Sequence, residues 1–332
     1  MSGAVNDSQH WSRQKEIGSS VSVKFLFFLF KIFPVWLLRC LAFPVGFFYY
    51  IFSGKARIES KRFLDNVACF IDEKDLKLRK RIKNKFASLR HIISFALSLL
   101  DKIQSWSGRY NFNSIHFQDD DIGELIKELE EGRGVFLVIS HLGNAEALRA
   151  LLNQGKTGIS RKISFTAVMD VNVSGNFTGM LKKINPESGM DIMGADEIGP
   201  ASAFIFEEKI ASGGMVLVAG DRTSAQSGGK NIVLPFLGKS APFSLGMFYI
   251  ASLLNAPIYF IFGMRRKELS IKSEYDMYVH KNNISFKGTR KERMEQTVSL
   301  AASFADFLEK YCKKYPFQWY NFFNFWRNGE EA

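Results

Sequence analysis

Cysteine is scarce in this 332-residue chain. Its three copies, Cys40, Cys69 and Cys312, stand far apart with no C-x-x-C pair, so they build neither a disulfide framework nor a zinc site. A reducing, cytosol-facing environment fits that usage. The motifs of several common chemistries are missing as well. No G-x-S-x-G, G-x-x-x-x-G-K-[ST], complete G-x-G-x-x-G or H-E-x-x-H occurs, which argues against a serine-hydrolase elbow, a P-loop, a dinucleotide fold and a zinc peptidase. Gly132-Arg133-Gly134 is half a dinucleotide signature and precedes its strand instead of following it. No metal and no cofactor is expected. Long apolar runs are also lacking: the longest, Cys40–Phe52, has 13 residues, where a membrane span takes about 20. Repeats and low-complexity linkers are absent, so residues 60–326 read as one unit.

What is present is an excess of positive charge, 44 Lys and Arg against 33 Asp and Glu, a formal +11. Its location is informative. Residues 1–110 hold 19 basic and 8 acidic side chains, whereas residues 111–332 hold 25 of each. The whole excess is N-terminal, which disfavours a nucleic-acid reader spread over the fold. Residues 21–52 are apolar and rich in Phe, interrupted by Lys24, Lys31, Arg39, Pro34 and Pro44. On a helix the three cations fall along one narrow stripe, as in a segment lying in the interface of an anionic leaflet. The two prolines should break helical bonding twice. A buried hydrophobic hairpin is the alternative. Further positive charge, from Lys77 to Arg90, occupies the first half of a helix expected over 76–103, its start marked by Asp72, Glu73 and Asp75. It is a solvated face, or a contact for anionic headgroups or an acidic carrier protein. These features divide the chain into a membrane-associating helical segment, 1–58, and a catalytic domain, 59–332.

From about residue 120 short apolar runs alternate with helix-like stretches, the rhythm of an α/β fold with a mainly parallel central sheet flanked by helices. Strands are expected at 134–140, 162–169, 189–193, 215–219 and 257–263. Helices are expected at 122–131, 144–153, 175–184, 200–212, 242–254 and 290–313. Residues 269–287 read as antiparallel edge strands.

Five histidines bound the choice of a general base: His10, His91, His116, His141 and His280. Two have a carboxylate five residues on, His141 with Glu146 and His116 with Asp121. Context separates them. His116 lies in a polar acidic stretch, whereas His141 follows the apolar run V-F-L-V-I-S and precedes Gly143, Asn144 and a new helix, at the carboxyl end of a strand where ligands collect in such sheets. Glu146 can fold back to accept the Nδ1–H of His141 and leave Nε2 as base. That suits deprotonation of an alcohol attacking an acyl carbon.

The segment S-H-L-G-N-A-E-A-L-R-A-L, Ser140 to Leu151, resembles the H-x4-D/E block of the lysophospholipid acyltransferase superfamily, in particular the branch related to the late acyltransferases of lipid A biosynthesis. The resemblance continues in A-G-D-R-T (219–223), L-P-F-L-G-K-S-A-P-F (234–243), A-S-L-L-N-A-P-I-Y (251–259) and Q-W-Y-N-F-F-N-F-W (318–326), and in the leader H-W-S-R-Q-K-E-I-G-S (10–19). The chain looks similar to predicted acyltransferases found with gene clusters for aryl-polyene and other fatty-acid-like lipids. The resemblance implies a glycerol-3-phosphate acyltransferase-like fold. It implies transfer of a fatty or polyenoic acyl group from acyl carrier protein or acyl-CoA to a hydroxyl of a membrane lipid or glycolipid, at the cytoplasmic face of an inner membrane. His141 would be the base and Glu146 its orienting carboxylate. Gly143 and Asn144 would bring backbone donors to the thioester carbonyl as an oxyanion site. Asp221 and Arg222, after the run G-M-V-L-V-A-G, should reach the same rim, where Arg222 could hold a phosphate or carboxylate. Arg149 would pair with Glu146 or touch substrate. The L-P-F-L-G block lacks the glutamate of the glycerolipid branch, which points away from a lysophosphatidic-acid acceptor. The aromatic tail, with Trp319, Phe322, Phe323, Phe325 and Trp326, reads as core, or as the wall of an acyl channel. A non-catalytic lipid-binding protein of the same fold is the alternative.

Overall fold

The apolar runs expected as strands build one twisted sheet. A computed structural model describes residues 28–30, 32–72, 74–106, 112–118, 121–145, 147–148, 159–161, 163–169, 190–195, 198, 201–222 and 231–326. Seven strands, β1 (Ile115–Phe117), β2 (Val135–Ile139), β3 (Phe165–Met169), β4 (Met190–Gly194), β5 (Met215–Ala219), β8 (Ile258–Arg265) and β9 (Tyr275–Lys281), pair in the order β1-β9-β8-β2-β5-β3-β4. The five from β8 to β4 run parallel. β9 is antiparallel to β8, and β1 is parallel to β9. β6 (Asn231–Phe236) and β7 (Lys239–Ser244) form a separate hairpin.

Side chains alternate across a strand, and here both faces are covered. Phe136 and Val138 join Val216, Val218, Phe260 and Phe262 in a core closed by Phe304 and Leu308 of the long helix Arg290–Lys314. Val135 and Leu137 face the opposite way, with Met215, Leu217, Tyr259 and Ile261, under Leu125 and Leu129 of the helix Asp121–Glu130. Burial on two sides explains why these strands read as unbroken apolar runs instead of alternating ones. The helix Arg290–Lys314 begins with a capping box, in which the Thr289 hydroxyl accepts the N–H of Glu292 and the Glu292 carboxylate accepts that of Thr289.

The helices α1 (Val35–Phe52), α2 (Gly54–Phe70), α3 (Leu76–Ile82) and α4 (Ala87–Trp106) precede the sheet, and several expectations change here. Pro34 precedes α1, but Pro44 lies inside it on the outward face, so the chain is interrupted once instead of twice. The helix expected over 76–103 is two helices. Asp75 caps the first by accepting the N–H of Leu78. The break follows because the Asn84 side chain accepts the N–H of Phe86 and its carbonyl accepts that of Ala87, a local turn that competes with helix continuation. Helix α2 runs unbroken through the expected boundary between residues 58 and 59.

Arg39 also departs from expectation. It is buried, not presented to a leaflet: its Nε and Nη2 donate to Asp101 Oδ1 at 3.1 and 2.7 Å, and its Nη1 donates to the carbonyl of Ile271. Asp101 Oδ2 accepts from Arg265 Nε at 2.9 Å and from the Tyr275 hydroxyl at 2.8 Å. One buried carboxylate thus ties α1 and α4 to the sheet. Lys24 and Lys31 lie outside the described residues.

Downstream, β9 is an interior strand and β1 takes the edge, so 269–287 does not form edge strands. The helix expected at 242–254 starts at Leu245, because Pro242 to Ser244 belong to β7. The helix expected at 175–184, and most of that at 144–153, lie outside the described residues.

Candidate active site

His141 is placed by strand register. β2 and β5 pair with an offset of 80 residues, Val135 opposite Met215 through Ile139 opposite Ala219, and continuing two residues past the last pair sets His141 beside Asp221. The imidazole Nδ1 lies 2.8 Å from Asp221 Oδ1. The other carboxylate oxygen accepts the backbone N–H of His141 at 2.8 Å and the Trp319 Nε1–H at 2.9 Å. A carboxylate so held only accepts, so Nδ1 carries the proton and Nε2 keeps its lone pair. Asp221 is fully buried. Its pKa is depressed to about 2: burial pushes the other way, but the His141 ring, Arg222 and Trp319 stabilise the charged form more.

The loop carrying His141 is laced on both sides. The Gly143 N–H donates to the carbonyl of Gln318 and the Tyr320 N–H to that of His141, joining the loop to the aromatic tail. The Asn144 N–H donates to the carbonyl of Gly263 at 2.7 Å. This crossing requires glycine twice. Gly143 sits at φ 70°, and a Cβ there would stand 2.0 Å from the Gly263 carbonyl oxygen, while a Cβ at Gly263 would stand 2.3 Å from that of Asn144. The two backbone donors expected to form an oxyanion site are therefore already engaged, which corrects that expectation. The Asn144 side chain is fully buried, and neither end of its amide has a hydrogen-bond partner.

Arg222 reaches the rim as expected. Its Nε stands 3.3 Å from both imidazole nitrogens. A point that near to both within the ring plane would collide with Cε1, so the guanidinium lies over a face of the imidazole. The guanidinium carbon also lies 4.9 Å from the centre of the Phe323 ring. The His141 side chain is 33% exposed, enough for a substrate to touch it. Burial, and then the Arg222 charge, pull its pKa below the ordinary imidazole value and outweigh the opposing pull of Asp221. The ring is neutral at pH 7, as a base requires.

No protein-family model matches this chain, and a search of curated proteins finds no similar one.

Of the residues expected at the site, His141, Gly143, Asn144, Asp221 and Arg222 converge, while Glu146 and Arg149 lie outside the described residues. The Nδ1 position expected for Glu146 is held by Asp221. Sequence reasoning put Asp221 on the rim but missed this contact. A signal existed in two five-residue apolar strands, V-F-L-V-I and M-V-L-V-A, each followed two residues later by a titratable side chain. The aromatic tail is core: Trp319, Phe325 and Trp326 are buried around Phe236. Two other described histidines are used elsewhere. His91 is fully buried between the Ser60 hydroxyl and the Trp319 carbonyl. His280 bonds the Tyr311 hydroxyl. Asp121, the carboxylate expected near His116, accepts the N–H of Lys281. Among the described residues no group of three or more His, Cys, Asp and Glu side chains could hold a metal ion.

Proposed function

We propose that this protein is an acyltransferase that moves a fatty or polyenoic acyl group from a thioester, carried by acyl carrier protein or by CoA, to a hydroxyl of a membrane lipid or glycolipid, with His141 as general base. The observation that carries the proposal is the neutral His141, oriented through Nδ1 by Asp221, at the carboxyl ends of parallel strands. The sequence resemblance of residues 140–151, 219–223 and 234–243 to lysophospholipid acyltransferases supplies the reaction class and the glycerol-3-phosphate acyltransferase-like fold.

In this reading the acceptor hydroxyl binds at Nε2, gives up its proton as it attacks the thioester carbon, and the thiolate leaves with the proton. Asp221 holds the imidazole in the required tautomer and stabilises the transient imidazolium. With the N–H groups of Gly143 and Asn144 engaged, Arg222 is the described cation beside the imidazole that can meet the negative charge developing on the carbonyl oxygen.

Membrane association, at the cytoplasmic face of an inner membrane, belongs to the same proposal. Helix α1 turns Trp36, Leu41, Val45, Phe48 and Phe52 outward, all more than 40% exposed, a surface that water disfavours and a bilayer accepts. It is long and apolar enough to cross a membrane. Its inner face, however, packs Leu38 and Ala42 against Ile93, Leu97 and Leu100, so it lies on the bilayer with one side committed to protein.

The test is thioester consumption by the purified protein with acyl carrier protein or CoA donors and bacterial lipid extract. His141→Ala should abolish turnover while leaving the thermal transition in place. Turnover at the wild-type rate in that variant removes His141 as base.

A further inference from the structure

A groove of about 290 Å³ opens between the end of α3, the turn at Asn84 and the first turns of α4, away from His141. Its walls are of two kinds. Phe86, Leu89, Ile93 and Leu269 are apolar, and Arg81 and Arg90 are cationic. Both guanidiniums donate to a single oxygen, Oε1 of Glu268, Arg90 at 2.6 Å, and both stack over the Phe317 ring, at 5.5 and 5.6 Å. The shared carboxylate and shared ring fix the two forks side by side. Each fork has five N–H groups and gives Glu268 one, so donors remain for a second anion. Two cations against one carboxylate leave the cluster at +1. Lys85, whose ammonium lies 5.0 Å from the centre of the Phe86 ring, adds another charge beside the groove.

The position of the groove says which anion. Ile93 lines it and is also the residue on which Gly46 of α1 packs, so closely that a Cβ at Gly46 would stand 2.8 Å from Ile93 Cγ1. A wall of the groove thus packs on the helix whose outer face is apolar. Its volume, about ten waters' worth, suits a headgroup and the first methylenes of a chain, and is too small to dock a carrier domain.

We propose that this groove is a binding site for an anionic phospholipid, with the phosphodiester on Arg81 and Arg90 and the upper acyl chain against Leu89, Ile93 and Leu269. The site rests on the membrane association proposed above, but it is testable without a bilayer. Two planar forks suit a phosphodiester's paired oxygens better than ammonium groups would.

The experiment is calorimetric titration of the full chain with dihexanoyl-phosphatidylglycerol as a soluble monomer, with dihexanoyl-phosphatidylcholine and inorganic phosphate as comparison probes. The expected result is saturable one-to-one binding of the anionic lipid, at least tenfold tighter than either comparison. The Arg81→Gln/Arg90→Gln variant should lose at least tenfold. Lys77→Gln/Lys80→Gln/Lys83→Gln, which removes more charge outside the groove, should change little. Glu268→Gln should bind more tightly, because it frees donors on both forks, and this opposite sign decides the matter if the double arginine variant does not fold. Overturning results are no binding by the wild type, equal affinity for inorganic phosphate, unchanged binding in the double variant, or weaker binding in Glu268→Gln. Failure of membrane association would show separately, as wild-type protein that does not float with phosphatidylcholine vesicles.

Discussion

His141 and Asp221 meet across 80 residues of sequence because β2 and β5 are paired with that same offset. The contact belongs to the sheet register, so a shift of either strand would dissolve it. Loss of the carboxylate alone leaves the strands paired. Asp221→Asn should therefore fold, present the wrong tautomer of His141 to the acceptor, and lose about 10²- to 10⁴-fold in kcat with KM little changed. Steady-state kinetics, with ring-nitrogen NMR of His141, measure both effects. A kcat within twofold of wild type would falsify the positioning role. A much larger loss in Glu146→Gln than in Asp221→Asn would transfer that role to Glu146.

The same site sets a pH dependence. Protonated His141 cannot act as base, so kcat/KM falls on the acid side with a midpoint at the pKa of the free enzyme's imidazole. Burial and Arg222 lower that pKa, so the midpoint should lie below the ordinary value of 6.5. Arg222→Gln removes a lowering influence and should move the midpoint upward, with a drop in kcat from the lost cation. An unmoved acid limb in that variant would mean that Arg222 does not face His141 in solution.

His91 makes a prediction about stability. Its Nε2 donates to the Trp319 carbonyl and its Nδ1 accepts from Ser60, so the buried ring is neutral, and burial depresses its pKa from 6.5 to about 4. Between those values the unfolded chain binds a proton that the folded chain refuses. Stability is therefore full above pH 6.5 and declines toward pH 4, by on the order of 3 kcal/mol from this group. Denaturant melts of wild type and His91→Gln across that range should show a shallower decline in the variant. Parallel curves would refute the assignment.

Asp101 is the buried carboxylate between Arg39 and Arg265. Removing one member leaves an uncompensated charge in the interior, so Asp101→Asn should cost about 3–5 kcal/mol. Arg39→Met should be milder, because Asp101 keeps Arg265 and the Tyr275 hydroxyl. A melting temperature unchanged in Asp101→Asn would show that water reaches the cluster. Deletion of residues 1–52 removes this anchor together with the apolar face, so point changes are the cleaner probe of membrane binding.

Those changes lie on the outward face of α1. Trp36→Ser, Phe48→Ser and Phe52→Ser remove exposed side chains, so together they should leave the melting temperature within a few degrees of wild type. They should release the protein from washed membranes into the supernatant. Pelleting as complete as wild type would count against the helix as the docking surface.

Most of the sheet was legible in the sequence, because strands buried on both faces must be continuously apolar. All five parallel strands fall within a few residues of where those runs stand. The short edge strand Ile115–Phe117 and the hairpin β6–β7 carry no such run and were not anticipated. The hairpin turns at Leu237 and Gly238, both at positive φ, a geometry that Leu does not announce. The split between α3 and α4 depended on one asparagine side chain competing for backbone donors.

By itself the sequence determined the alternation of strands and helices, the position of His141 beyond a strand end, and the concentration of charge before residue 110. Periodicity and composition are local properties, and local physics enforces them. Only the tertiary structure decided which carboxylate meets His141, that the Gly143 and Asn144 donors are engaged, and that Arg39 faces inward to Asp101 instead of outward to lipid. Each of these depends on a partner more than 60 residues away, and a linear chain does not state which strands and helices will be neighbours.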